Sequence, residues 1–147
     1  MNNSAGYTLA ELVVTIVLLG TLTAMAVPTY NKVINRAQKQ ANLSDMETIK
    51  NTFMQYHYVT HMQGNPHFPQ ESENSLLDSI YRKITLEDGR TPDQLFSGDL
   101  PYNSNENPYN YYWDDDTTES GYITKRIIIK DIDPDSPSLN EYVVGEI

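Results

Sequence analysis

The sequence contains no cysteine. Disulfide staples, zinc–thiolate centres and thiol nucleophiles are therefore excluded. Basic residues are scarce: 10 Lys and Arg stand against 20 Asp and Glu, a net charge of −10. That balance leaves no basic face for nucleic acid. There is no glycine-rich phosphate loop, and Asp88-Gly89-Arg90 has the composition of an ordinary turn. No serine sits in a nucleophile-elbow context. The acidic pairs lie in turn-like segments without apolar surroundings to split their pKa values. Nothing here supports catalysis, and the chain reads as a non-enzyme. Its 147 residues suit one modest domain with an appendage.

What is present is unevenly spread. Residues 1–86 hold six acids and six bases, whereas residues 87–147 hold the other fourteen acids and four bases. The whole net charge thus belongs to the C-terminal part. The mean hydropathy of −0.53 hides a similar skew, because Leu9 to Val27 is a nineteen-residue run with a single charge, Glu11. As a helix it would span roughly 28 Å, close to a bilayer core. Three readings compete for it. A cleaved secretory signal needs a basic start, but Met1 to Gly6 has no Lys or Arg; Thr23-Ala24-Met25-Ala26 would be its cut site, releasing a secreted enzyme after Ala26. A plain membrane anchor leaves Glu11 unexplained, since an intramembrane carboxylate calls for a partner and a role.

The third reading is a resemblance. Gly6-Tyr7-Thr8-Leu9-Ala10-Glu11-Leu12 resembles the processing site of type IV prepilins and type II secretion pseudopilins. The resemblance implies cleavage after Gly6 by a prepilin peptidase and methylation of the new amino terminus at Tyr7, where the family mostly has Phe. It makes Glu11 the family's fifth-position glutamate and places Pro28 at its helix-kinking proline. Ala37, Gln40, Ala41, Ser44 and Asp45 resemble the helix that follows the span in the major pseudopilin type, and Asn107-Pro108-Tyr109-Asn110-Tyr111 resembles that type's Asn-Pro-Tyr-x-Tyr element. Two features depart from the pattern. The leader lacks its usual Lys or Arg, and Lys32, Arg36 and Lys39 after the span would by the positive-inside rule hold the C-terminal part in the cytoplasm. The family orientation is the reverse.

The resemblance implies a filament subunit. Its precursor would be a single-pass inner-membrane protein with its head outside the cytoplasm, and the assembled filament would be periplasmic or extracellular. Its partners would be copies of itself, minor pilins or pseudopilins, the peptidase, the inner-membrane assembly platform and, before assembly, membrane lipid; nucleic acid is not among them. The Glu11 carboxylate of one subunit would meet the Tyr7 amine of a neighbour, a pairing much stronger in low dielectric than in water. The alternative is a membrane-anchored periplasmic binding domain for calcium or carbohydrate that forms no filament.

Helical character continues past the span. Met46, Ile49, Phe53 and Tyr56 recur at helical spacing, with Ala37 and Ala41 extending the stripe upstream. A helix from Tyr7 to His61 would be about 80 Å long, too long for the globule, so its first half should protrude. Pro28 should bend or locally melt it. Gly64-Asn65-Pro66 ends the helix. A short helix is expected over Asn74 to Ile84 with Asn74 or Ser75 as cap, one helical turn after Thr91-Pro92-Asp93, and loop over Gly98 to Asn107. Strands are expected at Tyr109 to Trp113, Tyr122 to Lys130 and Glu141 to Val144, with Ile127-Ile128-Ile129 central. The fold class is α+β: a long N-terminal helix, membrane-spanning in its first half, on a small three-stranded antiparallel sheet, pilin-like. The parts are a leader (1–6), an apolar span (7–30), its amphipathic continuation (31–63), a loop with short helices (64–106) and the sheet with acidic loops (107–147).

The connections Asp114 to Gly121 and Asp131 to Ser138 are acidic. Asp114, Asp116 and Glu119 in one, and Asp131, Asp133 and Asp135 in the other, are the candidate ligands for one structural calcium, set against solvated turns. The glycine and distal glutamate of an EF-hand loop are missing. His57 and His61 have the four-residue spacing of zinc ligands but no third partner, and are expected on the helix surface.

Overall fold

The computed structural model describes residues 7–71, 73–77, 95–96, 99–117 and 123–147, with the backbone alone at Asp116, Thr117 and Ile123. The element order is α1 (Leu9–Met62), β1 (Asn110–Thr117), β2 (Ile123–Lys130) and β3 (Tyr142–Glu146). The three strands form one antiparallel sheet in the order β1-β2-β3. Internal contacts divide the chain between Ala37 and Gln38 into two units.

The first unit is helix. From Leu9 to Ala37 every side chain is exposed except the half-buried Ile34. α1 runs unbroken through Pro28, so the local melting expected there does not occur. Proline removes one backbone donor. Neighbouring threonine hydroxyls add bonds of their own: Thr23 donates to the Leu19 carbonyl at 2.8 Å and Thr29 to that of Met25 at 3.1 Å.

In the second unit α1 has one buried face, made by Asn42, Met46, Ile49, Phe53, Tyr56, His57 and Thr60. The upstream extension through Ala37 and Ala41 is not seen, because both are exposed and the polar Asn42 is buried instead. The hydrophobic core joins Met46, Ile49 and Phe53 to Leu77, Tyr109, Tyr111, Ile127, Ile129 and Val143. β2 is central: Ile127 and Ile129 are fully buried and Ile128 on the opposite face is 8% exposed. Gly145 of β3 lies opposite Ile127. A Cβ there would come within 3.2 Å of Lys50 Cγ on α1, so glycine permits the close approach of helix and sheet.

Helix α1 stops for a local reason. Gly64 has φ 86°, donates its N–H to the His61 carbonyl at 3.1 Å, and is followed by a bond from Asn65 N–H to the Thr60 carbonyl at 3.1 Å. This pair of bonds closes a Schellman motif, which requires a left-handed residue that glycine supplies without strain.

β1 is longer than expected, because Asp114 to Thr117 continue the strand instead of turning. The register explains it: Asp114 faces Arg126 and Asp115 faces Lys125 across β2, and opposite charges across a ladder favour pairing. Asn74 caps locally by accepting the Leu76 N–H at 3.2 Å. Leu76 then bridges Asn110, and Ser75 at φ 55° presents its carbonyl to Tyr111 N–H at 2.7 Å. The remainder of the helix expected over Asn74 to Ile84, from residue 78 on, and the turn at Thr91-Pro92-Asp93 lie outside the described residues.

Candidate processing and assembly site

Gly6 lies outside the described residues, and Tyr7 beside it is 91% exposed. Thr8 begins the helix. Its hydroxyl accepts the Glu11 backbone N–H at 3.2 Å, while Glu11 Oε2 accepts both the Thr8 N–H and the Thr8 hydroxyl at 2.8 Å. This is a reciprocal capping box, which satisfies donors that a helix start leaves unpaired. The signal lay in the sequence as Thr8-Leu9-Ala10-Glu11 and was obscured by the run of apolar residues around it. Glu11 is therefore oriented by its own chain, at the first turn and three residues from Thr8. Downstream, α1 is long and apolar enough to cross a bilayer. Lys32 and Arg36 follow that stretch, both exposed.

The acidic candidates separate into two places. Asp114 belongs to β1, where Arg126 grips it through Nε at 3.1 Å and Nη2 at 2.9 Å. Those bonds hold its carboxyl below the usual range. Asp131, Asp133 and Asp135 follow β2, and Asp114 lies four residues along the ladder from the Asn110–Lys130 pair that adjoins them, a separation of roughly 13 Å. The side chain of Asp116 and the whole of Glu119 lie outside the described residues.

Asp131 and Asp133 are buried rather than solvated. Asp131 Oδ2 accepts the hydroxyls of Ser136 at 2.5 Å and Ser138 at 2.6 Å, and its Oδ1 accepts the Asp133 N–H at 3.1 Å. Asp133 Oδ2 accepts side-chain amides from Asn103, Asn105 and Asn107 at 2.7–3.1 Å. The amides of Asn107 and Asn105, then the Asp135 N–H and Asn103, hold the Asp133 carboxyl down at about 2. The knot is tied to α1 by Asn42, whose amide donates to Ser138 at 2.7 Å and Ser136 at 3.1 Å and accepts the Ser104 N–H at 2.9 Å. Among the described residues no three acidic or histidine side chains converge to hold a metal. The arrangement is a hydrogen-bonded clasp between the 99–107 and 131–141 loops.

Sequence reasoning missed this polar core because asparagines and serines carry no apolar period. It also misplaced His57, which is 4% exposed while His61 is exposed; the helix turns His57 toward Phe68.

A long N-terminal helix with an exposed apolar first half, together with a three-stranded antiparallel sheet, defines an α+β protein of pilin-like arrangement. Residues 1–27 match the family described as the prokaryotic N-terminal methylation motif. The chain therefore carries the prepilin signature of type IV pilins and pseudopilins. No curated protein and no solved structure matches it.

Proposed function

We propose that the chain is a structural subunit of a type IV pilus-like or type II secretion pseudopilus filament, cut after Gly6 by prepilin peptidase and assembled through its N-terminal helix. The observation that carries this reading is a coincidence of position: the methylation motif covers the same residues whose apolar side chains are exposed. Such a surface needs lipid or copies of itself. The precursor sits in the inner membrane with its head outside the cytoplasm, where the assembly platform and minor subunits engage it.

Hydrolysis of the Gly6–Tyr7 bond would free a cationic amine one residue before the capping box. The Thr8 bonds keep the Glu11 carboxylate at that same helix end. A neighbouring copy's amine can then meet it where water is excluded and ion pairing is strong. The charge thereby favours the assembled state and sets axial register, as one buried polar residue does in a coiled coil. The Asn107–Tyr111 element favours the pseudopilin branch. Its Tyr109 and Tyr111 are fully buried in the head, with Tyr111 donating to the Pro69 carbonyl at 2.8 Å.

Mass spectrometry of the native amino terminus tests the reading. A chain beginning at methylated Tyr7 is expected. An intact Met1 would point to the anchored binding domain, and a start near Val27 to secretion. A Glu11→Ala variant should still enter the membrane yet fail to polymerise, and normal filaments from it would contradict the pairing.

A further inference from the structure

Residues Asn65–Glu71 leave the end of α1 as a strap without helix or strand. Three fastenings hold it without a histidine side chain. The Thr60 hydroxyl accepts the His67 N–H at 3.2 Å, Tyr111 holds the Pro69 carbonyl, and the Glu71 carboxylate accepts the Trp113 N–H. Two further fastenings are histidines. His67 Nδ1 lies 2.6 Å from the Asn65 carbonyl, so it carries the proton and donates. Its Nε2 lies 2.8 Å from the Tyr56 hydroxyl, a group that can donate to the ring or accept from it. His57 comes from α1 and lies against the Phe68 ring at 4.6 Å between centroids. Its Nδ1 is buried without a hydrogen-bond partner. A buried polar atom left unpaired is uncommon in a folded protein and asks for a reason.

The titratable and charged groups that bear on His57 are His61 of α1, Lys125 of β2 and His67 of the strap itself. Each adds positive charge or can. The strap's own carboxylate, Glu71, is engaged by the Trp113 backbone. Among the described residues, a proton arriving at His57 would therefore find the Phe68 ring, no acceptor and cationic neighbours.

We propose that the strap is an acid-released clasp: neutral His57, packed on Phe68, holds Asn65–Glu71 on α1, and its protonation frees the strap, opening the groove between Phe68 and Trp113. That groove is lined by Asn65, His67, Phe68, Gln70, Glu71 and Trp113. Burial first, and then the three neighbours, hold the His57 imidazolium below the ordinary histidine range. In the open strap the ring returns to an ordinary value near 6.5. The clasp is thus fully fastened above that pH and loosens as pH falls below it. The proton taken up at His57 raises the opening equilibrium by up to about tenfold per pH unit.

The test is hydrogen–deuterium exchange of the full chain in detergent micelles from pH 7.5 to pH 5, corrected for intrinsic exchange. Protection of the strap should fall by up to about tenfold per pH unit below 6.5, while Ile127–Ile129 of β2 stays protected. Trp113, the one tryptophan in the chain, should report the same transition by fluorescence. A His57→Phe variant should flatten both curves. Constant strap protection across the range, or an equal fall in the variant, would overturn the proposal. A measurement on the unmodified chain guards against a variant that does not fold. The imidazole NMR signals of His57 should titrate below the ordinary histidine range, and a His57 that titrates at the ordinary value would overturn the clasp.

Discussion

Asn42 is the most informative position to perturb, because it is a polar residue on the buried face of α1, where the sequence had pointed to Ala41. Its Nδ2 has two hydrogens, and Ser138 at 2.7 Å and Ser136 at 3.1 Å take them; Ser104 Oγ at 3.4 Å is at the limit of a bond. Its Oδ1 takes the Ser104 N–H at 2.9 Å. The two serine hydroxyls pass the polarity on to Asp131, so the direction of every bond is set by an amide that donates. Asn42→Ala removes three sound hydrogen bonds at a net ~1 kcal/mol each, or about 3 kcal/mol within a range of roughly 2–4. Against a total stability of roughly 5–15 kcal/mol this is a large fraction. Reversible urea unfolding of the full chain in a mild detergent, followed through Trp113, should show the midpoint falling by roughly 1–2 M. Asn42→Asp is the sharper variant. A carboxylate cannot donate, so each serine hydroxyl would face two acceptors with one hydrogen, and a second buried negative charge would lie close to Asp131. Asn42→Asp should therefore be less stable than Asn42→Ala at pH 7, with the gap closing as acid protonates the new group. A loss under ~0.5 kcal/mol for Asn42→Ala, or two variants indistinguishable at pH 7, would refute the directional network.

Two other outcomes follow from packing and charge. At Gly145 a new Cβ would come within 2.9 Å of Met54 Sδ and 3.1 Å of Ile127 Cγ1. The methionine tip can swing aside but the β-branched Ile127 cannot, so Gly145→Val should cost about 1–3 kcal/mol and Gly145→Ala less by the same urea assay. Asp133 is held at about 2, below its reference of 3.8. A depressed carboxyl stabilises the fold above its unfolded value, and that stability is lost as pH falls toward the folded one. Acid unfolding of the head should therefore include a step between roughly pH 4 and pH 2, and Asp133→Asn should remove that step in a pH titration of circular dichroism.

Much of the architecture was legible because it rests on local periodicity. The stripe Met46, Ile49, Phe53, Tyr56 repeats at the helical period, and burial of all four follows from it. The three strands were found from β-branched and aromatic runs. β1 was cut short because Asp114 to Asp116 look like turn residues until Arg126 and Lys125 are placed opposite. His57 was assigned to the surface because one histidine beside a stripe has no period of its own. Only the position of Phe68 shows that its ring is covered. That Asp131 and Asp133 are buried was not legible, because acidic loop residues read as exposed turns. The asparagine amides that surround Asp133 come from residues 103–107, about thirty positions earlier in the chain.

The amino-acid order alone was enough for the processing motif around Gly6, the bilayer-length helix with Glu11 in its first turn, and the stop at Gly64. Each depends on residues a few positions apart, whose spacing dictates the geometry. The tertiary structure alone decided which polar groups are buried and what satisfies them. Asn42, Asp131, Asp133 and His57 are inside because distant segments bring partners or aromatic cover to them. A polar side chain can be buried only where such partners converge, and that convergence is not written in any short stretch of the chain.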